Sequence, residues 1–362
     1  MRNPELYKSR KNRRRWPVVL LIILICLIIG AFLLFYGLQK YIVYGPNGLS
    51  LELPILASPE ITDAQGNVVS GTYPDLVIDQ TDYSNVAATA GEGLSAMKAI
   101  FVPSGSINGE KINEAAERLS AGNALVLELK PSSGQLMWKS NVPLADSYGV
   151  NGTTDMLEIV TALKEKDIWL VAQLSCCVDD LMAERNVTWQ LKNADGARYT
   201  DDAGGWLDPY SADFRSYIAD LAAELAAMGF DEILLANVAH PPVAADTLAY
   251  SASSTTPSAV SAVSAFSTYI TRSIDKSGAV VSVLATRDAI TGAEGNMNGQ
   301  NIELFMKVYD RIYCYTDANA YETYMNACEK YLSLGDIGTR FVPICYATLP
   351  PTDCWVLTDT AN

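Results

Sequence analysis

The sequence contains a single histidine, His240, and this scarcity limits the kinds of active site that the chain can build. A Ser-His-Asp triad would have to use His240, yet the G-x-S-x-G sequence that presents the serine in many such enzymes is absent. One histidine, scattered acids and cysteines without C-x-x-C spacing provide no set of metal ligands. GEGLSA, residues 91–96, matches the dinucleotide pattern G-x-G-x-x-A but precedes an apolar run instead of following one. The sequence therefore predicts no triad, no metal site and no cofactor.

Basic residues are scarce beyond the first 16 positions. Residues 1–16 hold seven of the 26 Lys and Arg residues and one acidic residue, Glu5, so 19 basic and 40 acidic residues remain, a formal charge of −21. Such a surface repels nucleic acid and anionic lipid, because binding to phosphates depends on Lys and Arg. The sequence thus predicts no nucleic-acid partner, and the basic residues 1–16 are better explained by membrane topology.

Charged residues are also absent from residues 17–37, PVVLLIILICLIIGAFLLFYG, which follow this basic tail. A helix of about 20 apolar residues can cross a bilayer. A cleavable signal peptide would have a shorter apolar region ending in a small-x-small site, which we do not find here. Because the basic cluster precedes the run, the positive-inside rule places the N-terminus in the cytoplasm. We expect a single-pass cell-membrane protein that is exoplasmic from about Leu38 onward.

Seven cysteines are present, and Cys26 lies within the apolar run. The other six belong to the predicted exoplasmic part: Cys176, Cys177, Cys314, Cys328, Cys345 and Cys354. Six cysteines allow fifteen pairings, and the sequence does not choose among them. Two interpretations stay open, buried thiols or one or two disulfides.

The remaining chain divides by composition into residues 38–97 and 98–362. Residues 38–97 are rich in Gly, Pro, Ser and Asp with short strand-like runs, which indicates a membrane-proximal segment with some β structure. From Lys98 onward, short apolar runs alternate with amphipathic stretches. The runs are KAIFV, NALVLEL, DIWLVAQL, DEILLANV, AVVSVLA, RIYCYT and RFVPICYA. Parallel strands buried on both faces have continuous apolar sequences, so this alternation predicts an α/β fold with a parallel sheet.

The helix before DEILLANV shows the amphipathic pattern well, because its apolar residues recur at helical spacing from Phe214 to Met228. Asp208 and Pro209 suit an N-cap and the first helical position, and Gly229 suits a left-handed residue just past the end.

An eight-stranded TIM-type (β/α)8 barrel is the commonest closed form of such repeats. The prediction of the last β/α unit has the least support, because only TLPPTDCWVLTDTAN follows RFVPICYA. If CWVL is the eighth strand, its connection is shorter than the dozen or more residues that a parallel crossover usually takes. The barrel is therefore predicted to be incomplete at the last unit or closed irregularly, with part of residues 38–97 available to close it.

Several ordered motifs carry a family resemblance. They are NALVLELKPSSG, DIWLVAQLSCCVDD, GGWLDP, GFDEILLANVAHP and NGQNIELFMKVYDRIYCYTD, within Lys98 to Ala347. Taken together they resemble the bacterial putative glycosyl hydrolase domain family, domain of unknown function 4015. The resemblance implies a TIM-type barrel related to glycoside hydrolases, with an acid at the end of the fourth strand.

Two strand ends depart from the family pattern. The family's fourth strand typically reads GFDEIQFDYVRFP, so Ala236 stands where its second Asp is expected, and Asn237 and His240 replace Tyr and Phe. In the second strand, VLELKPSSG keeps Lys130 of the family's VIDVKDDSG but has Pro131 in place of the following acid. The resemblance therefore implies the fold while placing the activity in doubt.

Chemistry gives the same reason for doubt. Glycoside hydrolysis usually needs two carboxyl groups, about 5–5.5 Å apart for retention or about 6.5–9.5 Å apart for inversion, and alanine provides neither. Asp231 and Glu232 precede the apolar part of their strand, where barrels keep stability residues, so we interpret them as solvated or helix-pairing. The acids that follow other strands give a candidate catalytic set of Asp179, Asp288 and Asp317.

Residues suited to sugar contact also lie near predicted strand ends. Aromatic rings stack on sugars while polar groups fix orientation, although core or loop packing is the alternative for each aromatic. The candidate substrate-binding set is Glu128, Lys130, Trp138, Trp206, Asn237, His240 and Tyr315.

Three functional hypotheses follow. The first is a membrane-anchored exoplasmic barrel of glycoside hydrolase descent that binds cell-envelope carbohydrate without hydrolysing it. The second is an active glycosidase with relocated carboxylates, such as Asp179 with Asp288 or Asp317. The third is a non-catalytic envelope scaffold. Two carboxyl groups converging over a cleft would favour the second, and the lack of any groove would favour the third.

Overall fold

A computed structural model describes residues 87–119, 123–244, 247–249, 258–274, 277–292 and 298–359, together with Leu20 and four short strands nearer the N-terminus. These strands form two antiparallel pairs, Ile42–Gly45 with Gly48–Leu51 and Ile61–Thr62 with Val68–Val69. The chain divides into two compact units, Met1–Pro74 and Asp75–Asn362. Apart from Leu20, the predicted membrane span at residues 17–37 lies outside the described residues. Within the described part, no helix has the length and apolar character needed to cross a membrane.

The second unit is built around a closed barrel of eight parallel strands. In chain order these are β1 Lys98–Val102, β2 Ala124–Lys130, β3 Trp169–Ser175, β4 Glu232–Ala236, β5 Val280–Leu284, β6 Arg311–Tyr315, β7 Phe341–Tyr346 and β8 Trp355–Thr358. Each strand pairs with the next, and β8 pairs with β1 to close the barrel. The predicted TIM-type architecture is confirmed.

Helices follow most of the strands. The α-helices in the described residues are α1 Gly109–Glu117, α2 Pro143–Ser147, α3 Met156–Lys164, α4 Asp180–Arg185, α5 Ala212–Met228, α6 Ala259–Ile274, α7 Arg287–Thr291, α8 Ile302–Val308, α9 Tyr321–Glu329 and α10 Ile337–Arg340. Two antiparallel pairs lie in the loops, Thr200–Asp201 with Gly204–Gly205 and Lys192–Asn193 with Leu248–Ala249.

Helix α5 ends as predicted but begins later than expected. Gly229 adopts a left-handed conformation with φ of 109° directly after the helix. At the other end the N-cap is Ser211, whose side chain accepts a hydrogen bond from Phe214 N at 3.3 Å. The prediction of Asp208 as N-cap is wrong because Asp208 Oδ1 accepts a hydrogen bond from Tyr210 N at 2.9 Å and so belongs to the preceding turn.

The last barrel unit closes without a helix. Residues 347–354 alone connect β7 to β8, and Ala347 has φ of 59°, a left-handed conformation that turns the chain directly after β7. Because β8 pairs with both β7 and β1, the barrel is complete and takes no strand from residues before Lys98. An incomplete barrel and closure by residues 38–97 are both wrong, whereas irregular closure is confirmed.

Two packed layers hold the barrel together. Along β3, Leu170 and Ala172 belong to the cluster between strands and helices, whereas Val171 packs inside the barrel. The inner cluster comprises Met97, Ala99, Phe101, Ala124, Val126, Val171, Leu234, Tyr313, Val342, Ile344, Cys354 and Val356. Since both faces of most strands are covered, their sequences are largely apolar.

Glu232 and Asp231, at the N-terminal end of β4, have different surroundings. Glu232 is fully buried and forms an ion pair with Arg311, while Tyr313 donates a hydrogen bond to its Oε1 at 2.8 Å. The interpretation of Glu232 as solvated or helix-pairing is therefore wrong, because its side chain faces the barrel interior. Asp231 does pair with a helix, since its carboxylate lies 2.6 Å from Nζ of Lys164 at the end of α3.

All six cysteines of the barrel are buried and unpaired: Cys176, Cys177, Cys314, Cys328, Cys345 and Cys354. Of the two interpretations left open by the sequence, the structure has buried thiols. Burial raises the pKa of both Cys177 and Cys314 to about 12. These thiols therefore stay protonated, and little reactive thiolate is present, at neutral pH.

Candidate functional site

A cleft of 420 Å³ opens at the C-terminal ends of β4, β5 and β6. Its walls are Asn237, Ala239, Leu284, Ala285, Thr286, Arg287, Asp288, Gln300, Cys314 and Tyr315. This is the end of the barrel at which TIM-type enzymes bind their substrates. Among the described residues, no cluster of three or more His, Cys, Asp or Glu side chains is arranged to hold a metal ion.

Gln300 fixes one wall of the cleft. Its Nε2 donates to the carbonyl of Val238 at 3.0 Å, and its Oε1 accepts from Thr286 N at 2.9 Å. The carbonyl of Asn298 accepts a further hydrogen bond from His240 N at 2.7 Å. The segment before α8 is thus tied to the ends of both β4 and β5, which makes this wall a defined surface.

Asn237 follows β4 directly and lines the cleft in a left-handed conformation, with φ of 52°. Asparagine tolerates this conformation better than most residues with a Cβ atom. Its Nδ2 donates to Ser175 Oγ at 2.8 Å, and that hydroxyl donates to the carbonyl of Val178 at 2.7 Å. The orientation of the Asn237 amide is therefore set by the end of β3.

Arg287 and Asp288 place opposite charges on the cleft at the start of α7. Both side chains are exposed, and Thr286 caps the helix by accepting a hydrogen bond from Ala289 N at 3.3 Å. Arg287 Nε donates to the carbonyl of Tyr315 at 2.7 Å, which directs the guanidinium toward the end of β6.

Tyr315 and Glu128 are both half-buried at the mouth. Burial, with the nearby Glu128 carboxylate as the second cause, raises the pKa of Tyr315 to about 12, so its hydroxyl stays protonated at neutral pH. Glu128 Oε2 accepts a hydrogen bond from Ser104 N at 2.8 Å. The mouth therefore combines a hydroxyl that can donate with a carboxylate that accepts.

Ala236 occupies the end of β4, in register with Ser175 of β3. Its side chain lies on the same face of the strand as Glu232 and Leu234, which point into the barrel, and the residue is 4% exposed. No carboxyl group is therefore available at this position.

Lys130 and Asp179 form a buried ion pair below the mouth, with Nζ and Oδ2 2.7 Å apart and both side chains 0% exposed. Lys130 Nζ also donates to the carbonyl of Ser175 at 2.8 Å. Asp179 Oδ1 accepts a hydrogen bond from Met182 N at 2.8 Å, which caps α4. Each group is thus held by protein partners, and neither lines the cleft.

The other predicted acid, Asp317, is exposed after β6 and does not line the cleft. Its carboxylate accepts hydrogen bonds from Asn319 N at 2.8 Å and Ala320 N at 3.0 Å, which closes a turn. Of the three acids predicted as catalytic, only Asp288 is a cleft residue.

Three predicted sugar-contacting residues are buried in packing positions. Trp138 Nε1 donates to Glu224 of α5 at 3.0 Å, and Trp206 Nε1 donates to Asp201 at 2.8 Å. His240 is fully buried, with Nδ1 2.6 Å from the carbonyl of Pro241. The cleft brings together two of the seven predicted sugar-contacting residues, Asn237 and Tyr315, and Glu128 lies near Tyr315.

Sequence reasoning missed Thr286, Arg287 and Gln300 in the cleft walls, and Tyr346 at the end of β7. Tyr346 is 55% exposed and, by alternation from Ile344 of the inner cluster, lies on the face that leads to the mouth. Following the alternation from Val342 and Ile344 to the end of the run RFVPICYA would have identified it. The sequence contains no comparable pattern that would have identified Gln300, because its position depends on hydrogen bonds made by a loop.

Comparisons with known proteins agree with this architecture. The putative glycosyl hydrolase domain model, domain of unknown function 4015, matches residues 99–331. The glycoside hydrolase domain of PgaB (BpsB) from Bordetella bronchiseptica is similar with a TM-score of 0.51 and 12% identity, over 73% of this chain and 94% of that one. The glycoside hydrolase domain of PelA from Pseudomonas aeruginosa gives a TM-score of 0.41 and 15% identity, over 72% and 86%.

A hypothetical protein from Ruminiclostridium thermocellum has 19% identity and a TM-score of 0.44, over 51% of this chain and 96% of that one. A search of curated proteins finds no match. At 12% identity the PgaB domain supports the fold alone, whereas the family model covers more than half of the chain. The chain belongs to the putative glycosyl hydrolase domain family.

Proposed function

We propose that this protein binds carbohydrate at the mouth of its barrel and does not hydrolyse it. The observation that carries the proposal is Ala236, which places a methyl group at the end of β4 where the family resemblance leads one to expect an acid. A methyl group neither donates a proton nor attacks an anomeric carbon, so the usual two-carboxyl mechanism lacks one of its members.

The chemistry of the cleft supports a sugar as the ligand. Its walls combine an amide of Asn237, the hydroxyl of Tyr315 and the charges of Arg287 and Asp288. Pyranose rings present many hydroxyl groups around an apolar face, so they are recognised by polar groups together with aromatic rings. The exposed ring of Tyr346, at the end of the strand next to β6, is a candidate for stacking.

An active glycosidase with relocated carboxylates is the second candidate. It is supported by Asp288 in the cleft wall and by Glu128, whose half-buried carboxylate lies near Tyr315 at the same mouth. Asp179 gives it less support, because its carboxylate is buried against Lys130.

The test uses the full-length chain with purified cell-wall glycan strands and surface polysaccharides. Calorimetry measures binding, and release of reducing ends measures hydrolysis. We expect saturable binding without turnover, and weaker binding for Asn237→Ala, with Glu329→Gln on the exposed end of α9 as a control that binds normally. Turnover that Asp288→Asn or Glu128→Gln abolishes would establish the second candidate instead. A chain that neither binds nor cleaves any of these glycans would favour an envelope scaffold.

We further propose that the barrel is exoplasmic and that residues 17–37 anchor it in the cell membrane. The support is the uncharged run after the basic residues 1–16, together with the acidic remainder of the chain. Protease added to intact cells should digest a C-terminal tag and spare an N-terminal one. Recovery of the chain in the soluble cell fraction would contradict this proposal.

A further inference from the structure

The inner face of β3 carries a polar side chain, Gln173. This residue is not one of those that line the cleft. Val171 packs in the inner cluster, so the alternation of side chains along the strand turns Gln173 into the barrel as well. Gln173 pairs in register with Glu128 of β2, which is half-buried at the mouth. Gln173 therefore lies inside the barrel beside Glu128, one step below Ser175 at the end of β3, and we call this level the floor of the mouth.

The side-chain oxygen of Gln173 is buried, and it accepts no hydrogen bond from any residue that the structure describes. Gln173 itself is 5% exposed. Two neighbours toward the mouth offer it no donor: Ser175 Oγ donates to the carbonyl of Val178 at 2.7 Å, and Ala236 has no polar group. Buried polar atoms in proteins are nearly always satisfied, and an unsatisfied one lowers the stability of the fold.

We propose that Gln173 is a ligand-binding residue whose side-chain oxygen accepts a hydrogen bond from a hydroxyl group of the bound sugar. This inference rests on the proposed function and adds a specificity determinant to the same mouth. Ala236, in register with Ser175 on the neighbouring strand, contributes only a methyl group to the layer between Gln173 and the mouth. Binding supplies the missing donor, so the unsatisfied oxygen becomes a source of affinity.

The position of Gln173 also restricts the chemistry of the ligand. Glu128, its partner in register, is an acceptor when ionised. The floor therefore presents two neighbouring acceptors, the Glu128 carboxylate and the Gln173 side-chain oxygen. A sugar that turns hydroxyl donors toward the floor satisfies both. A sugar with fluorine in place of those hydroxyls keeps its shape but loses the donors, and it should bind more weakly.

The test compares Gln173→Met, which keeps the length of the side chain and removes its amide, with Tyr217→Phe; Gln173→Glu, which keeps an acceptor oxygen, is measured beside them. Tyr217 lies on α5, outside the barrel, and its buried hydroxyl likewise has no hydrogen-bond partner among the described residues. Binding of cellotetraose and of chitotetraose to the full-length chain is measured by calorimetry, and the melting temperature is measured without ligand. Gln173→Leu serves as a second variant if Gln173→Met does not fold.

We expect Gln173→Met to bind about tenfold more weakly, the loss of one hydrogen bond, and to melt about 2–6 °C higher because an unsatisfied group is gone. Tyr217→Phe should also melt higher while binding as the wild type does. Equal binding by Gln173→Met and the wild type would overturn the inference and leave the proposed function standing. The same variants are measured with the cell-wall and surface glycans used to test the proposed function. Failure of the wild type to bind any of these glycans or either tetrasaccharide would contradict the proposed function, and the inference with it.

Discussion

The buried pair Lys130–Asp179 gives the sharpest prediction, because one substitution separates a structural role of Asp179 from a catalytic one. Asp179→Asn removes the negative charge and keeps a side chain that can still cap α4. In the wild type, Asp179 Oδ2 lies 2.7 Å from Lys130 Nζ, and both side chains are 0% exposed. The substitution therefore leaves an ammonium group in the protein interior with the carbonyl of Ser175 as its remaining close partner.

The expected cost is large because removing one partner of a buried ion pair destabilises by about 3–5 kcal/mol. The cap adds little to this figure, since Asn caps helices about as well as Asp. Asp179→Ala should cost a further ~1 kcal/mol, because it also loses the hydrogen bond with Met182 N. The control is Glu114→Gln, which breaks the Lys111–Glu114 pair at 52% and 54% exposure. Exposed pairs contribute about 0–1 kcal/mol.

Urea denaturation of the full-length chain measures these free energies of unfolding. The expected order of stability is wild type, then Asp179→Asn, then Asp179→Ala, with Glu114→Gln close to the wild type. A double change to Lys130→Met with Asp179→Leu should recover much of the loss, because apolar pairs of similar volume can replace a buried ion pair. If Asp179→Asn were within ~1 kcal/mol of the wild type, the argument from burial would be refuted. Loss of glycan turnover in that stable variant would then assign Asp179 to catalysis.

Three further predictions test the rest of the barrel. Glu232→Gln should destabilise the chain by about 3–5 kcal/mol in the same urea assay, because it leaves Arg311 buried without its carboxylate, and an unchanged unfolding midpoint would contradict this. The six barrel thiols should react with a thiol reagent only after denaturation, since all are buried and unpaired; fewer than six reactive groups in the unfolded barrel would indicate a disulfide. Glycan binding should not change between pH 7 and 10, because Tyr315, with its pKa raised to about 12, keeps its proton throughout; a loss of affinity near pH 10 that Tyr315→Phe removes would show an ordinary tyrosine.

The barrel could be predicted from the sequence because strands that are buried on both faces have runs of consecutive apolar residues. All seven apolar runs fall on strands, and Gly229 marks the end of α5 as expected. The way in which the barrel closes at the last unit could not be predicted from these apolar runs. The rule that parallel strands need long crossovers assumes an intervening helix, whereas Ala347 turns the chain in a left-handed conformation and residues 347–354 return without one.

The site was less predictable from the sequence. A position near the end of a strand places a residue at the C-terminal end of the barrel, but it does not determine whether the side chain points into the cleft. Asn237 and Tyr315 line the cleft, whereas Trp138 and His240 are buried in packing positions. Side-chain direction outside the strands depends on individual hydrogen bonds, such as that from Trp138 Nε1 to Glu224, which is distant in sequence. Periodicity carries no information on such contacts.

The two ends of β4 explain how a family match and a missing acid can occur together. Asp231 and Glu232 agree with the family pattern, and both stabilise the fold: Asp231 binds Lys164 and accepts a hydrogen bond from Leu170 N at 2.8 Å, while Glu232 neutralises Arg311 inside the barrel. Ala236 lies at the opposite end, where a change removes a functional group without leaving a buried charge unpaired. A chain can therefore lose its acid at the mouth and keep the acids at the base, so agreement at Asp231 and Glu232 indicates the barrel and carries no information about hydrolysis.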